Sequence, residues 1–421
     1  MADEQKYPRF ALPRLLEGLA DTPVVLIHGP RQCGKTTLAQ EVGDAEGFGY
    51  LSFDDAVTLS AAQTDPAGFV AALPPRTILD EVQRVPGLFT AIKMAVDRDR
   101  TPGRFILTGS ANVLLVPKLA DSLAGRMEIH RLYPLAQCEI GRKEPGFLAT
   151  LFGASFKVQS SERLGTELIE RIVAGGYPAA LARPSAHRRA IWYRDYLDSL
   201  IQRDVQDLAR ITSLDVLPRL LKLVAGQTAK LLNVTDLAAP FQLSRPTIAD
   251  YVTLLERVFL LERLPPWHSN RLSRLVKTPK VHVGDTGLAA SLLGLNAADL
   301  AKDRMSLGAL LETFVLQELR RQASWDVEPT ALYHFRDKDG AEVDIVLERG
   351  TRVAGIEVKA SGTVTASDFR GLRKLKEATD DRFAAGVVLY DGEVSAGFGD
   401  DLYAVPIRSL WEMESPARPS R

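Results

Sequence analysis

Eight consecutive residues near the N-terminus have the pattern of a phosphate-binding loop. Gly29 to Thr36 reads GPRQCGKT, which matches G-x-x-x-x-G-K-[ST] at every fixed position. Such glycines let the backbone turn its N–H groups toward phosphates, and the helix that follows adds the positive end of its dipole. We expect Lys35 to reach the β- and γ-phosphates of ATP and Thr36 to ligate Mg²⁺. The candidate nucleotide-binding residues are Gly29, Pro30, Arg31, Gln32, Cys33, Gly34, Lys35, Thr36 and Thr37.

Two adjacent carboxylates follow a short apolar run further along the chain. Asp80 and Glu81 come directly after Ile78 and Leu79. An acidic residue at the end of a buried strand can hold Mg²⁺, and a neighbouring carboxylate can orient and deprotonate the attacking water. We therefore assign the metal role to Asp80, together with Thr36, and the general-base role to Glu81.

Polar residues after a second apolar run are candidates for sensing the γ-phosphate. Thr108, Ser110 and Asn112 lie in the sequence FILTGSAN, which starts at Phe105. A plain turn after a strand is the alternative for each of them. Arg126, in the sequence LAGR, is a candidate arginine finger that acts on a nucleotide in the same or a neighbouring subunit; an ordinary surface arginine is the alternative.

Three carboxylates and a lysine form a second candidate site near the C-terminus. Glu312 lies in an expected helix over 307–321, Asp344 in an expected strand, and Glu357 and Lys359 in the next strand. Strand side chains alternate, so Glu357 and Lys359 share a face, and a hairpin would bring Asp344 beside them. Paired carboxylates bind Mg²⁺, and a lysine can then position the hydrolytic water. A solvated, charged strand face is the alternative.

A basic stretch in the middle of the chain is the candidate DNA contact. Arg245 opens an expected second helix after a short turn, where it could approach a base edge. Phosphate contacts from a basic loop give affinity that is independent of sequence and sensitive to salt. A solvated loop or a subunit interface is the alternative. The stretch contains Arg263, Arg271, Arg274, Lys277 and Lys280, with Trp267 and His268 interleaved.

The elements around these residues predict an α/β protein. Short apolar runs at 24–27, 77–79 and 104–107 are typical of buried parallel strands, and they alternate with helical stretches. The pattern becomes helical over about 160–265, where Ser244 and Pro246 favour a helix start and two helices joined by a short turn resemble a helix-turn-helix. A second α/β unit begins near residue 305 and ends with an expected strand at 385–389.

Taken together, these motifs resemble a widespread prokaryotic group of AAA-type ATPases. The resemblance spans about residues 9–410 and implies an AAA-type core at 1–160, a helical, winged-helix-like middle domain at 161–280 and a restriction-endonuclease-like domain at 281–412. The polar composition of the last residues, with two prolines, separately predicts a disordered tail at 413–421. The D…E-x-K arrangement is similar to the sites of restriction-type nucleases, in which a helix glutamate such as Glu312 often contributes. The motifs are LDE at 79–81, LTGSAN at 107–112, LAGR at 123–126, RLYPL at 131–135, GGYP at 175–178, RDV at 203–205 and VHVGDTGL at 281–288.

Composition limits the classes of function. The formal net charge is −1, so DNA binding would need a local patch. The two cysteines, Cys33 and Cys138, are far apart, and no apolar run reaches the ~18 residues of a membrane span. We therefore expect a cytoplasmic protein that makes no membrane contact.

Three functions follow from these sequence features. The leading hypothesis is an ATPase that acts on DNA, assembles as a homo-oligomer and carries a Mg²⁺-dependent nuclease-like domain. The second is a nucleotide-dependent regulatory switch whose C-terminal domain is catalytically inactive and binds proteins. A protein-remodelling ATPase is the third, and the absence of a clear aromatic pore-loop motif before Asp80 disfavours it.

Overall fold

The computed structural model describes residues 6–110, 123–153, 156–202, 215–269 and 278–415. The chain divides into two compact units. The N-terminal unit comprises Arg9–Leu135 with Glu256–Leu260, and the C-terminal unit comprises Met1–Pro8, Ala136–Leu255 and Leu261–Arg421. In the part of the chain that the structure describes, no helix is long and apolar enough to cross a membrane.

A five-stranded parallel sheet forms the centre of the N-terminal unit. Its order is β2-β3-β4-β1-β5, so β4 separates the strand before the phosphate-binding loop from the strand that ends in Asp80. Strands β1, β3 and β4 are buried along their whole length, as their apolar sequences predict. The strands are β1 (Val24–His28), β2 (Gly49–Ser52), β3 (Thr77–Asp80), β4 (Phe105–Gly109) and β5 (Met127–Arg131).

Helices pack on this sheet through their apolar sides. The first helix has Pro13 in its first turn and buries Leu15 and Leu19, and both leucines belong to a core that also contains Val25 and Ile27. The helices of this unit are α1 (Leu12–Asp21), α2 (Lys35–Glu46), α3 (Ala56–Thr64), α4 (Pro66–Ala71) and α5 (Leu88–Arg98).

The first half of the C-terminal unit is mainly helical. The hydroxyl of Ser244 accepts a hydrogen bond from the N–H of Thr247, so the expected serine cap is present at the start of the helix that begins at Arg245. The elements are α6 (Gln137–Gly141), α7 (Phe147–Gly153), β6 (Gln159–Ser160), α8 (Thr166–Ala174), α9 (Pro178–Leu181), α10 (Ala186–Leu200), α11 (Val216–Ala225), β7 (Lys230–Leu231), α12 (Val234–Ala238), α13 (Arg245–Arg257), β8 (Leu261–Leu264) and β9 (Lys280–Val283). The last three of these strands form an antiparallel sheet in the order β7-β9-β8. The expected boundary at 280/281 falls inside β9.

A seven-stranded mixed sheet forms the rest of the C-terminal unit, in the order β10-β11-β12-β13-β15-β14-β6. Strands β11 and β12 are an antiparallel hairpin in which Ile345 lies opposite Ile356. The remaining elements of the C-terminal unit are α14 (Thr286–Leu293), α15 (Ala297–Lys302), α16 (Arg304–Trp325), β10 (Thr330–Arg336), β11 (Glu342–Arg349), β12 (Arg352–Lys359), α17 (Arg370–Thr379), β13 (Phe383–Tyr390), β14 (Val394–Gly397), β15 (Leu402–Pro406) and α18 (Ser409–Glu412). The structure therefore adds β14 and β15 after the strand expected at 385–389.

Two of the linking motifs meet at Asp285. This carboxylate caps α14 through the N–H of Leu288 and also accepts hydrogen bonds from the N–H of Gly176 and the hydroxyl of Tyr193, at 2.8 and 3.0 Å. Gly175 has a φ of +67°, and a Cβ there would lie 2.2 Å from Asp285 Oδ1, so the backbone requires glycine. Asp285 thus joins the GGYP and VHVGDTGL motifs, and it connects the segment that follows α8 to the start of α14 inside the C-terminal unit.

The first residues of the expected disordered tail have defined contacts in the structure. The N–H of Gly146 donates a hydrogen bond to the carbonyl oxygen of Met413 at 2.7 Å. A Cβ on Gly146 would lie 2.2 Å from the carbonyl oxygen of Glu414, so the two backbones are in close contact. Residues 413–415 are therefore packed on the unit, and residues 416–421 lie outside the described part of the chain.

Candidate nucleotide site and carboxylate cluster

The phosphate-binding loop has a backbone that requires its two glycines. Gly29 has a φ of +158°, and a Cβ there would lie 2.0 Å from the carbonyl oxygen of Leu132. Gly34 has a φ of +101° and is the N-terminal cap of α2, where no side chain caps the helix. The first N–H groups of α2 therefore keep their hydrogen-bonding capacity for an anion.

The lysine of this loop is folded back onto the loop itself. Lys35 is only 4% exposed, and its ammonium donates a hydrogen bond to the carbonyl oxygen of Pro30 at 2.9 Å. Cys33 is buried with its sulfur 3.5 Å from the carbonyl oxygen of Leu132, so it supports the loop from the side of the core. Since the partner of Lys35 is a neutral carbonyl group, its positive charge is not compensated by that contact.

Hydroxyl groups surround the carboxylate of Asp80. It accepts hydrogen bonds from Thr36 at 3.1 Å, from Tyr50 at 2.9 Å and from Thr108. Thr108 reaches Asp80 because β4 lies beside β3 in the sheet. Burial, and next the hydrogen bond to Asp80, raise the pKa of Tyr50 to about 12, so its hydroxyl remains a donor. The adjacent Thr36 hydroxyl and Asp80 carboxylate are oxygen ligands of the kind that Mg²⁺ prefers, and they fit this metal.

The carboxylate of Glu81 is held by two side chains. Its Oε2 accepts a hydrogen bond from the Ser110 hydroxyl at 3.0 Å and another from the Gln83 amide. Glu81 has a φ of +60°, an uncommon backbone conformation for a residue other than glycine. Its N–H group also donates to the hydroxyl of Thr108. The side-chain and backbone contacts together fix where the expected base points.

Sequence analysis missed Gln83, although it stands only two residues after Glu81. The Gln83 amide also donates to the Ser110 hydroxyl at 2.9 Å, so it links Ser110 to Glu81. Its proximity to the Asp-Glu pair was the one available signal. The remaining sensor candidate, Asn112, lies outside the described residues. Arg126 forms an ion pair with Asp97 on α5, which gives its guanidinium a partner within its own unit.

His28 is a second residue of this region that sequence analysis missed. It is the last residue of β1 and is 2% exposed. Burial first, and then the positive charges of Arg131 and Lys35, lower its pKa to about 3. The ring of Phe259 packs edge-on against His28 with the ring centroids 5.6 Å apart. His28 is therefore neutral at physiological pH.

The C-terminal unit brings together all four residues of the expected carboxylate–lysine site. Glu312 comes from α16, Asp344 from β11, and Glu357 and Lys359 from β12. The ammonium of Lys359 lies 3.2 Å from Glu357, as expected for residues on one face of a strand. Asp344 reaches across the hairpin and accepts a hydrogen bond from the N–H of Val358 at 3.0 Å. We call Glu312, Asp344 and Glu357 the carboxylate cluster.

The structure places Lys280 in this cluster, which corrects its assignment to a DNA-contacting surface. Its ammonium lies 2.7 Å from Glu312 and 3.4 Å from Asp344. The residue is 6% exposed, since β9 directs its side chain inward from the first position of the strand. The two carboxylates, Glu312 above all, raise the pKa of Lys280 despite its burial, so it stays charged.

Burial raises the pKa of two carboxyl groups of the cluster, and the nearby lysine ammonium groups oppose that effect. Burial, and next the charge of Asp344, raise the pKa of Glu312 well above its ordinary value. The same two causes, opposed by Lys359, raise the pKa of Glu357 to about 8. Both carboxyl groups therefore bind protons more strongly than exposed glutamates do.

The carboxylate cluster does not fit a divalent metal as it stands. Among the described residues, no group of three or more His, Cys, Asp or Glu side chains could hold a metal ion. The ammonium of Lys280 is in contact with Glu312 and Asp344, and Asp344 also accepts the N–H of Val358. One oxygen of Glu312 and both oxygens of Asp344 are therefore already engaged.

The rest of the basic stretch is only partly described. Trp267 is 2% exposed, and its indole N–H donates to Glu348 at 2.8 Å, so this ring packs in the unit and does not face a nucleic acid. Arg245 and Arg263 have exposed side chains, and His268 is half-buried. Arg271, Arg274 and Lys277 lie outside the described residues.

Models of three protein families match consecutive parts of the chain. An AAA domain matches residues 21–141, and two domains of unknown function, DUF8612 and DUF4143, match residues 165–299 and 307–410. The AAA match covers the phosphate-binding loop and the Asp80–Glu81 pair. The chain therefore carries an AAA-type P-loop domain, while the two other matches assign no activity.

Some solved structures align with parts of this chain at low scores. A Walker-type ATPase of Pyrococcus abyssi is 15% identical, with a TM-score of 0.43, over 69% of this chain and 97% of that chain. A variant of RuvB from Thermotoga maritima is 18% identical, with a TM-score of 0.30, over 62% of this chain and 90% of that chain. At these scores the likeness supports no conclusion about this chain.

Curated relatives match almost the whole length. An uncharacterized protein of Haemophilus influenzae is 23% identical over 80% of this chain and 82% of its own length. The uncharacterized proteins Rv2008c of Mycobacterium tuberculosis and Mb2031c of Mycobacterium bovis are each 30% identical over 94% of this chain and 83% of their own length. The chain belongs to the protein family of these two mycobacterial relatives.

Proposed function

We propose that this protein binds ATP with Mg²⁺ at the phosphate-binding loop and hydrolyses it. One observation carries the proposal: Thr36, which follows the loop lysine, and Asp80, at the end of another strand, meet through their side-chain oxygens at 3.1 Å. They are the two residues to which sequence analysis assigned the metal of the nucleotide site. Bound Mg²⁺ would supply positive charge to offset that of the phosphates.

The residues around this pair fit the steps of hydrolysis. The uncapped start of α2 presents N–H groups to phosphate oxygens, and Lys35 only has to exchange one carbonyl partner to reach them. Glu81 accepts the proton of the attacking water, and Ser110 and Gln83 determine the direction of its carboxylate.

A substitution that separates binding from hydrolysis tests this proposal. Glu81→Gln removes the base and preserves the side-chain shape, so we expect ATP binding to be retained and turnover to fall by about 10²–10⁴-fold. Fluorescent ATP binding and phosphate release measure the two steps. Wild-type turnover in Glu81→Gln would refute the assigned base, and the absence of ATP binding in the wild type would refute the site.

We propose further that the middle of the chain binds DNA as a winged helix. Helices α11, α12 and α13 with a three-stranded sheet in the order β7-β9-β8 have the element order of that module. The exposed Arg245 opens α13, the second helix of the helix-turn-helix pair, and the exposed Arg263 lies on β8. These positions favour contacts to phosphates and to a base edge.

Charge reversal tests the DNA proposal. We expect Arg245→Glu and Arg263→Glu each to weaken duplex binding and to lower the slope of log affinity against log salt by about one. Lys302→Glu, an exposed lysine at the end of α15, is the matched control and should bind as the wild type does. Fluorescence anisotropy at several salt concentrations gives both quantities. Equal effects of all three substitutions would contradict the assignment.

The carboxylate cluster favours a second candidate function for the C-terminal domain. We infer that this domain keeps a restriction-endonuclease-like arrangement of Asp344, Glu357 and Lys359 without cutting DNA, and serves the nucleotide-dependent regulatory role. The engaged carboxylates support this inference. Plasmid DNA incubated with the full-length protein and Mg²⁺ or Mn²⁺ should stay supercoiled. Nicking that disappears in Asp344→Asn would restore the nuclease hypothesis.

A further inference from the structure

The ammonium of Lys280 occupies a position that its sequence neighbours do not explain. The side chain is 7% exposed and lies beside Glu312 and Asp344. Glu312 is on helix α16, and Asp344 is on β11, in a sheet to which the strand of Lys280 does not belong. Burying a charged lysine is costly unless opposite charges and hydrogen bonds compensate it. The fold has therefore built a specific position for one positive charge between these two carboxylates.

The second lysine of the site has a different role. Lys359 is 34% exposed and pairs with Glu357 at 3.2 Å and with Asp368 at 3.8 Å. It therefore lies at the edge of the cluster, whereas Lys280 is enclosed in it. The two partners of Lys280, one from a helix and one from a strand, are two of the three carboxylates that sequence analysis assigned to a metal at this site.

We propose that Lys280 is the resident counter-ion of the carboxylate cluster and that its ammonium excludes divalent cations from Glu312 and Asp344. The cluster is then a latent metal site, and removing this one ammonium uncovers it. Two unit charges 4 Å apart interact strongly at a low effective dielectric constant, so an ammonium and a divalent ion compete for the same oxygen atoms. The inference does not depend on ATP hydrolysis.

Mn²⁺ binding to the full-length, nucleotide-free protein tests the inference. All proteins carry Asp80→Asn, which removes the acidic ligand of the nucleotide site. The electron paramagnetic resonance signal of free Mn²⁺ measures the number of bound ions. We expect Lys280→Met to bind one more Mn²⁺ than its parent. The affinity for this additional ion should be at least tenfold higher than that of the parent at the same site. Lys280→Met combined with Asp344→Asn should lose that ion. Lys280→Arg, which keeps the charge, should behave as the parent.

Two results would overturn the inference. The first is a folded Lys280→Met protein, with the circular dichroism of its parent, that binds no additional Mn²⁺. The second needs no substitution at Lys280: a parent protein that binds Mn²⁺ and loses it in Asp344→Asn already has an open metal site. The second comparison can overturn the inference even if Lys280→Met does not fold.

Discussion

The protein contains two sites that combine a buried lysine with carboxylates, and the lysines differ in their partners. In the N-terminal unit Lys35 donates to the carbonyl oxygen of Pro30, and Asp80 is hydrogen-bonded to hydroxyl groups. In the C-terminal unit Lys280 is paired with two carboxylates at 2.7 and 3.4 Å. Lys35 therefore contacts a neutral carbonyl group, whereas Lys280 contacts two carboxylates.

This difference separates a site whose charged groups contact neutral partners from a site whose charged groups contact each other. A hydrogen bond between a charged and a neutral group contributes about 1.5–3 kcal/mol, so a phosphate or a metal can replace it at a smaller cost than that of losing an ion-pair partner. Breaking a buried ion pair by removing one partner costs about 3–5 kcal/mol. We infer that the first site is built for ligand exchange and the second for stability in its present state.

Replacing the P-loop lysine should have the largest effect on function and little effect on stability. We expect Lys35→Met to lower ATP turnover by at least about 100-fold, because the positive charge that stabilises the transferred phosphate is lost. The midpoint of thermal unfolding should change little, since only the hydrogen bond to Pro30 is removed. Phosphate release and scanning calorimetry measure the two effects. Full turnover in Lys35→Met would break the comparison.

The same substitution in the carboxylate cluster should have the opposite result. Lys280→Met leaves Glu312 and Asp344 buried without their cation, so we expect the free energy of unfolding to fall by about 3 kcal/mol. ATP turnover at 25 °C should persist. Denaturant unfolding measures the loss, and Lys280→Met with Asp344→Asn should recover part of it. A cost below about 1 kcal/mol would show that the buried pair is not a stabilising feature.

A smaller effect is expected at Gln83, which sharpens the assignment of the base. Gln83→Leu removes the amide that donates to Glu81 and keeps a side chain of similar size. We expect kcat for ATP to fall by about tenfold and KM to stay unchanged, because the carboxylate loses its fixed direction. Steady-state kinetics check this split. A higher KM with unchanged kcat would place Gln83 in nucleotide binding instead.

A further effect concerns pH and the N-terminal unit. The pKa of His28 is about 3 in the folded protein against an ordinary value of 6.5, so between these values the unfolded chain binds the additional proton. The stabilisation from neutral His28 is complete above pH 6.5 and is lost as the pH falls toward 3, at up to about 1.4 kcal/mol per pH unit. Hydrogen exchange of β1 and β4, corrected for intrinsic rates, should show a shallower pH dependence in His28→Gln. An unchanged slope would exclude His28 as the group responsible.

Local sequence was sufficient for most elements around the nucleotide site. The apolar run before Gly29 and the run that ends at Asp80 predict the strands that the structure shows, since short runs of this kind are stable only when buried on both faces. Sequence analysis also considered a hairpin that would bring Asp344 beside Glu357 and Lys359. The structure has this hairpin in β11 and β12, and Asp344 accepts a hydrogen bond from the N–H of Val358, the residue between those two.

The errors arose where partners are distant in the chain. Lys280 stands in a stretch without acidic residues, so its local context favoured a solvated or DNA-contacting surface. Its partners Glu312 and Asp344 are 32 and 64 residues away, and no local pattern reports such a pairing. Trp267 was misjudged for the same reason, because Glu348 lies 81 residues further on.

The sequence by itself determined the phosphate-binding loop, because its chemistry depends on the backbone freedom of two glycines and on residues adjacent in the chain. It also identified the two sets of carboxylates. Only the tertiary structure decided which groups contact the carboxylates of each set. Hydroxyl groups surround Asp80, whereas Lys280 enters the C-terminal cluster from a strand that belongs to another sheet. Charge pairing depends on distance in space and on burial, and neither is encoded in the spacing of residues along the chain.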